Sequence, residues 1–133
     1  MDGKAVRLTG YALTGAFTLF MLFDVAIKLI RHPMVEQSMR QLGFTDGGLG
    51  FSIGVIEAVC LVLYLIPRTA VLGALFQTAY LGGAFCANLR IDAPLFSSML
   101  FPVYIGILVW AGLYLRNAAL RTALGVDILA KRR

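Results

Sequence analysis

A chain of 133 residues that is 59% hydrophobic and only 14% charged has too few polar side chains to cover a soluble domain, for which about 25% charged is ordinary. Its length allows one domain. The net charge of +5 would suit nucleic acid, but the bases sit in short connections and at the C-terminus rather than on one polar face. They are read as orienting the chain in a lipid bilayer, with no nucleic-acid partner.

The short basic arm Met1 to Arg7 leads into the first apolar stretch, Leu8 to Ile30. As a helix that stretch rises roughly 34 Å, against a hydrocarbon core of about 30 Å. It is too long for the apolar part of a signal peptide and no small-x-small cleavage site follows it, so it is expected to be retained as a span. Asp24 and Lys28 stand four residues apart in it, acid first, on one helix face. A charge at the bilayer centre costs about 2.5–3.5 kcal/mol on insertion scales, so this pair should look inward at protein. Pro33 disfavours continuation of the helix. The stretch Met34 to Leu42 then reads as a short amphipathic helix at the interface. Gly43 to Gly48 is a turn, and without a following GK[ST] it is no phosphate-binding loop.

The second span is 49–66, with Glu57 near its middle, and the tight turn Pro67-Arg68-Thr69 makes the third span an antiparallel neighbour. That third span, 69–89, contains Gln77, Gly82-Gly83 and Asn88, and Arg90 to Pro94 connects it to the fourth, 95–115. Pro102 should kink the fourth span or leave a carbonyl free. The tail, Arg116 to Arg133, has the spacing of an interfacial helix through Leu120, Leu124 and Ile128. The expected fold is therefore an all-α membrane protein: a single four-transmembrane-helix bundle over residues 1–133, with a short amphipathic segment after the first helix.

Four spans put both termini on one side. That side holds Lys4, Arg7, Arg68, Arg116, Arg121, Lys131, Arg132 and Arg133, against Arg31, Arg40, Arg90 and the membrane-edge Lys28 on the other. The positive-inside rule makes the termini cytoplasmic. Tyr11, Tyr64, Trp110 and Tyr114 then fall at the cytoplasmic interface as an aromatic belt. Gly50 with Gly54, Ala79 with Gly83, and Gly83 with Ala87 have the small-xxx-small spacing that lets membrane helices approach closely.

Counted from the outer boundary, Asp24, Lys28 and Glu57 lie at roughly 9, 3 and 12 Å along their helices. Asn88 and Arg90 close the outer end of the third span, with Asp92 just beyond. Acids and bases from three segments are thus expected to converge in the outer half of the bundle, beside a cavity open to the outer surface or leaflet. Such a group serves either as a binding site or as an ion-pair network that fixes helix register. Glu57 is the leading residue: it pairs with Lys28 across helices, or is protonated and donates to a ligand. Gln77, in the inner half of the third span, reads as an interhelical hydrogen-bonding residue. His32, the one histidine, reads as a solvated loop residue. No second histidine stands by to make a metal site. Cys60 and Cys86 differ in depth by roughly 12 Å, too far for a disulfide, and both read as core residues.

Taken in order, Lys28 ending the first span, Leu42-Gly43, Glu57, Pro67-Arg68-Thr69, Tyr80-Leu81-Gly82-Gly83-Ala84 running to Arg90, and Val109-Trp110 leading to Arg116 resemble the DoxX-like family of small bacterial four-helix membrane proteins. The resemblance covers most of Leu8 to Arg121. It implies the bacterial cytoplasmic (inner) membrane and a link to membrane redox or stress functions, in which some relatives serve quinone-linked sulfur oxidation or partner oxidative-stress proteins. Relatives often carry histidine near the end of the third span, where this chain has Asn88, so no proton or metal role passes from that position.

Three functions follow as alternatives. The first is binding of a small lipophilic, quinone- or lipid-like molecule, with Lys28, Glu57, Asp24, Asn88 and Arg90 as candidate contacts and Gln77 and Tyr80 behind them. The second is proton-coupled transport of a small molecule. The third is a non-catalytic subunit or scaffold, alone as a homo-oligomer or beside a membrane redox partner. No catalytic motif, haem ligand, flavin motif or paired thiol is present; quinone is the one cofactor considered, and redox chemistry would need a partner.

Overall fold

The computed structural model describes residues 3–125. Helix α1 (Gly3–Leu29) buries Val6, Gly10, Thr14, Phe17, Met21, Val25 and Lys28. These steps of three and four keep one stripe against the protein and leave Leu8, Leu19, Leu22 and Phe23 exposed. Lys4 and Arg7 are already helical, which corrects the expected basic arm. Apolar content marks where a span meets lipid; these two good helix formers carry the helix beyond that point.

Arg31 adopts a left-handed backbone, φ 56°, and closes α1. The Arg31 N–H donates to the Lys28 carbonyl and the His32 N–H to the Ile27 carbonyl, the paired bonds of a Schellman cap. His32 is exposed but has a local task. Its Nδ1 accepts the Met34 N–H at 3.2 Å and caps α2 (Pro33–Gln41). α2 buries Val35 and presents Met34 outward, the amphipathic segment expected after the first helix.

Next come α3 (Leu49–Leu65) and α4 (Ala70–Arg90), joined at Pro67–Thr69. A π-helical turn (Leu95–Met99) precedes α5 (Phe101–Arg116). Pro102 therefore sits in the first turn of α5 rather than mid-helix. The i→i−5 bonds of Met99 to Pro94 and Leu100 to Leu95 absorb the break upstream, in place of the expected kink at proline itself. Asn117 caps α6 (Ala118–Ala123), which buries Leu120 against the bundle. The rest of the expected tail helix, including Ile128 and the final three bases, lies outside the described residues.

α1 packs against α3 and α5, and α4 packs against the same two. The four helices form a ring in which α1 and α4 face each other across the diagonal, and α2 lies on α3. Phe17, Met21, Leu61, Tyr64, Ala74, Val109 and Leu113 fill the axis. Three segments, α1, α4 and Leu95–Arg116, are long and apolar enough to cross a membrane, and α3 is a shorter apolar helix of 17 residues. With large apolar side chains exposed along these helices, the protein is an integral membrane protein.

Of the expected small-residue pairs, Gly50 and Gly54 meet their neighbours closely, a Cβ standing 3.3 Å from Val35 and 2.8 Å from Lys28. A Cβ on Gly10 would stand 2.8 Å from the Arg116 backbone nitrogen, and one on Gly73 would overlap the backbone of Tyr64. Around Gly82 and Gly83 there is open space. Sequence spacing alone does not say which face of α4 turns inward; Gly73, Ala74 and Gln77 do so.

Tyr64 also leaves the expected aromatic belt. It is fully buried, donates its hydroxyl to the Val109 carbonyl at 2.8 Å, and meets Phe17 edge-on at 5.2 Å. Both cysteines are free. Cys60 is buried, whereas Cys86 is exposed, which corrects its placement in the core.

Adding a methyl group at Gly73 should cost about 1–3 kcal/mol of stability by overpacking. The same change at Gly83 should stay within about 0.5 kcal/mol. Thermal unfolding of Gly73→Ala and Gly83→Ala in detergent checks the contrast.

Candidate functional site

Gly54 on α3 has no side chain, and this permits the site. A Cβ there would sit 2.8 Å from the Cβ of Lys28, so the stem of Lys28 passes where only glycine leaves room. One turn further along α3, on the same face, stands Glu57. Lys28 belongs to the last turn of α1. Its side chain runs inward along that face and brings its ammonium to the middle of α3.

The ammonium donates to three oxygens: Asp24 Oδ2 at 2.5 Å, Glu57 Oε2 at 2.6 Å and the Tyr80 hydroxyl at 2.8 Å. Tyr80 in turn donates its own hydrogen to Glu57 Oε2 at 3.0 Å. An ammonium has three N–H groups and a phenol one, so every donor in the cluster is engaged. The partners come from three helices, α1, α3 and α4, and the Lys28–Tyr80 bond spans the ring diagonal. The side chain of Glu57 is fully buried and that of Lys28 is 9% exposed, while Asp24 retains 27%. Asp24 is thus the edge of the cluster that opens outward.

One atom is left over. Glu57 Oε1 is buried without a hydrogen-bond partner. A turn deeper, Gln77 repeats the pattern: it is fully buried, its Nε2 faces Met21 Sδ at 3.9 Å across the diagonal, and its Oε1 has no partner. Gln77 is therefore an interhelical residue, placed directly behind Tyr80 on α4.

The cluster does not include Asn88 or Arg90. Asn88 lies about 12 Å along α4 from Tyr80, and its Nδ2 bonds back to the Ala84 carbonyl at 2.9 Å. Arg90 is exposed, and its Nη2 bonds to the Leu42 carbonyl at 2.9 Å, capping the end of α2. Both residues lie at one end of the bundle, and two helical turns separate that end from the layer of Glu57. Tyr80, set behind these two at the sequence level, has the direct contacts instead. Its signal was its position three residues after Gln77 on one helix face.

Spaces beside the bundle differ in size and lining. A chamber of about 80 Å³ is lined by Lys28, Arg31, Val35, Glu36, Asp46 and Phe51, among others, between the end of α1, α2 and the start of α3. It is about half the size of an apolar cavity of roughly 150 Å³ that holds benzene. A groove of about 450 Å³ runs between α4 and α5 past Leu81, Gly82, Phe85, Val103, Gly106 and Trp110. Only the groove approaches the volume of an organic ligand. At the opposite end of the bundle, Arg116 donates to the Tyr64 carbonyl at 3.3 Å and lies over its ring. Arg121 donates to the Tyr114 and Leu115 carbonyls, each at 2.9 Å. These two arginines cap the C-termini of α3 and α5. Among the described residues no cluster of three His, Cys, Asp or Glu side chains is built for a metal ion.

Residues 12–112 match the model of the DoxX-like family, and the chain belongs to that family. The matched segment contains Asp24, Lys28, Glu57 and Tyr80. No curated protein and no solved structure matches the chain.

Lys28→Met leaves Glu57 buried without its cation and should cost about 3–5 kcal/mol. Tyr80→Phe removes one bond to a charged group on each side and should cost about 1.5–3 kcal/mol. Unfolding midpoints in detergent, compared with wild type, give both values.

Proposed function

We propose that this DoxX-like protein crosses the bacterial cytoplasmic membrane four times with both termini in the cytoplasm, and that its central cluster receives the polar head of a small lipophilic molecule. The fourth crossing is α3, whose rise of about 26 Å is a few ångströms under the hydrocarbon core, a mismatch that bilayers accommodate at modest cost. Arg116 and Arg121 at one end of the bundle support the orientation.

The observation that carries the binding reading is Glu57 Oε1. Buried polar atoms in proteins have partners as a rule, and the Lys28 and Tyr80 donors beside this one are already engaged. A guest must bring the hydrogen. Of the quinone couple, only the reduced form offers an O–H there, since quinone carbonyls are acceptors like the oxygen they would meet. A headgroup hydroxyl of a lipid has the same capacity. Entry is past Asp24, the exposed edge of the cluster.

Extraction of the protein in mild detergent followed by native mass spectrometry tests the reading. Wild type should retain a small lipophilic species that Glu57→Gln loses while remaining folded. Equal retention by both would remove the cluster from the binding site. A C-terminal fluorescent-protein fusion should glow and an alkaline phosphatase fusion should stay inactive; the reverse result would invert the orientation.

A further inference from the structure

Asp24 and Glu57 both bond to Lys28, so two carboxyl groups share one ammonium. The other groups facing this point are Tyr80 and Gln77 from α4, with Cys60 one turn along α3 from Glu57. The buried face of α5 contributes Pro102, Ile105 and Val109, which bear no charge. Taken as ionised, the cluster sums to −1, an excess that the interior of a membrane protein does not hold cheaply. One turn apart, the bundle lacks a donor twice over, because Glu57 Oε1 and Gln77 Oε1 are both fully buried and both unpartnered.

The charge count and the donor count select one chemistry. A neutral hydroxyl answers the second and not the first; a carboxylate or phosphate worsens both. A group carrying N–H bonds and one positive charge answers both together. We propose that the guest of the cluster is a cationic proton donor, the protonated head of a lipophilic primary amine bound at Glu57 Oε1. This rests on the lipophilic-guest reading above and narrows its substrate class. A bare proton shares the positive charge and the donor character. An ammonium differs from a proton in bringing three N–H groups on an apolar tail, so only the ammonium reading predicts a response to an added amine.

The test is the unfolding midpoint of the full chain in nanodiscs with octylamine, octanol or octanoate added, together with proton uptake on titration. Octylamine should raise the wild-type midpoint most, octanol less, and octanoate not at all. Glu57→Gln places an amide N–H where the orphaned oxygen stood and removes the excess charge, so the octylamine shift should vanish. Asp24→Asn balances the charge but keeps that oxygen. The advantage of octylamine over octanol should then be lost while octanol's own shift persists. If octanol matches octylamine on wild type, the cationic assignment is overturned and the lipophilic-guest reading stands. If no additive shifts the midpoint but wild type takes up a proton that Glu57→Gln does not, the guest is a proton and the amine assignment is overturned. No shift and no difference in proton uptake would sink both readings.

Discussion

The Lys28 ammonium is the interaction on which the bundle depends. Three N–H groups meet three oxygens from three helices, and one of those bonds crosses the ring diagonal. In lipid the hydrophobic effect gives no drive for one helix to find another, so packing and polar contacts must specify the arrangement. A fully engaged ammonium does so with direction: it sets the depth of α3 and α4 against α1 within one hydrogen-bond length. The cost of burying it is offset by two acids.

The two ends of the bundle are held by different means. Towards the α2 end, charge locates the helices and Gly54 makes room for the side chain that carries it. Towards the end bearing the chain termini, backbones touch. Gly10 lies against Arg116, Gly73 against Tyr64, and the two arginines close the carbonyl ends of α3 and α5. The basic residues at this end therefore finish its helices, a use that favours arginine, whose planar fork reaches carbonyls and rests on aromatic rings.

Much of this was legible in the sequence because lipid allows so few structures. The long apolar stretches, the turn at Pro67 and the amphipathic segment needed no tertiary information. The Asp24–Lys28 spacing on one helix face was equally local. Glu57 could be placed near Lys28 by counting residues from one boundary. That count already sets Asn88 and Arg90 two turns from Tyr80 along α4, so grouping them with Glu57 overlooks it; what the count lacks is rotation about the axis. Tyr64 and Cys86 were misplaced for the same reason. The glycines are the sharpest case. Gly82-Gly83 has the denser local motif yet faces open space, while a Cβ on the isolated Gly10, Gly73 or Gly112 would overlap a neighbouring helix. Which glycine is needed depends on the partner backbone, and the local sequence does not record that.

Asp24 has a consequence for the order of events in biogenesis. Its bond to Lys28 lies within α1, so the positive charge has a partner as soon as that helix is wound. Glu57 follows 29 residues later, and Tyr80 later still. The apolar stretch of the first helix, from Leu8 onward, can enter the bilayer with its one acid and one base already paired, without waiting for the rest of the chain. The later acid then joins a pair that is already lodged in the membrane. Asp24, whose side chain stays partly open in the finished bundle, matters most before there is a bundle at all.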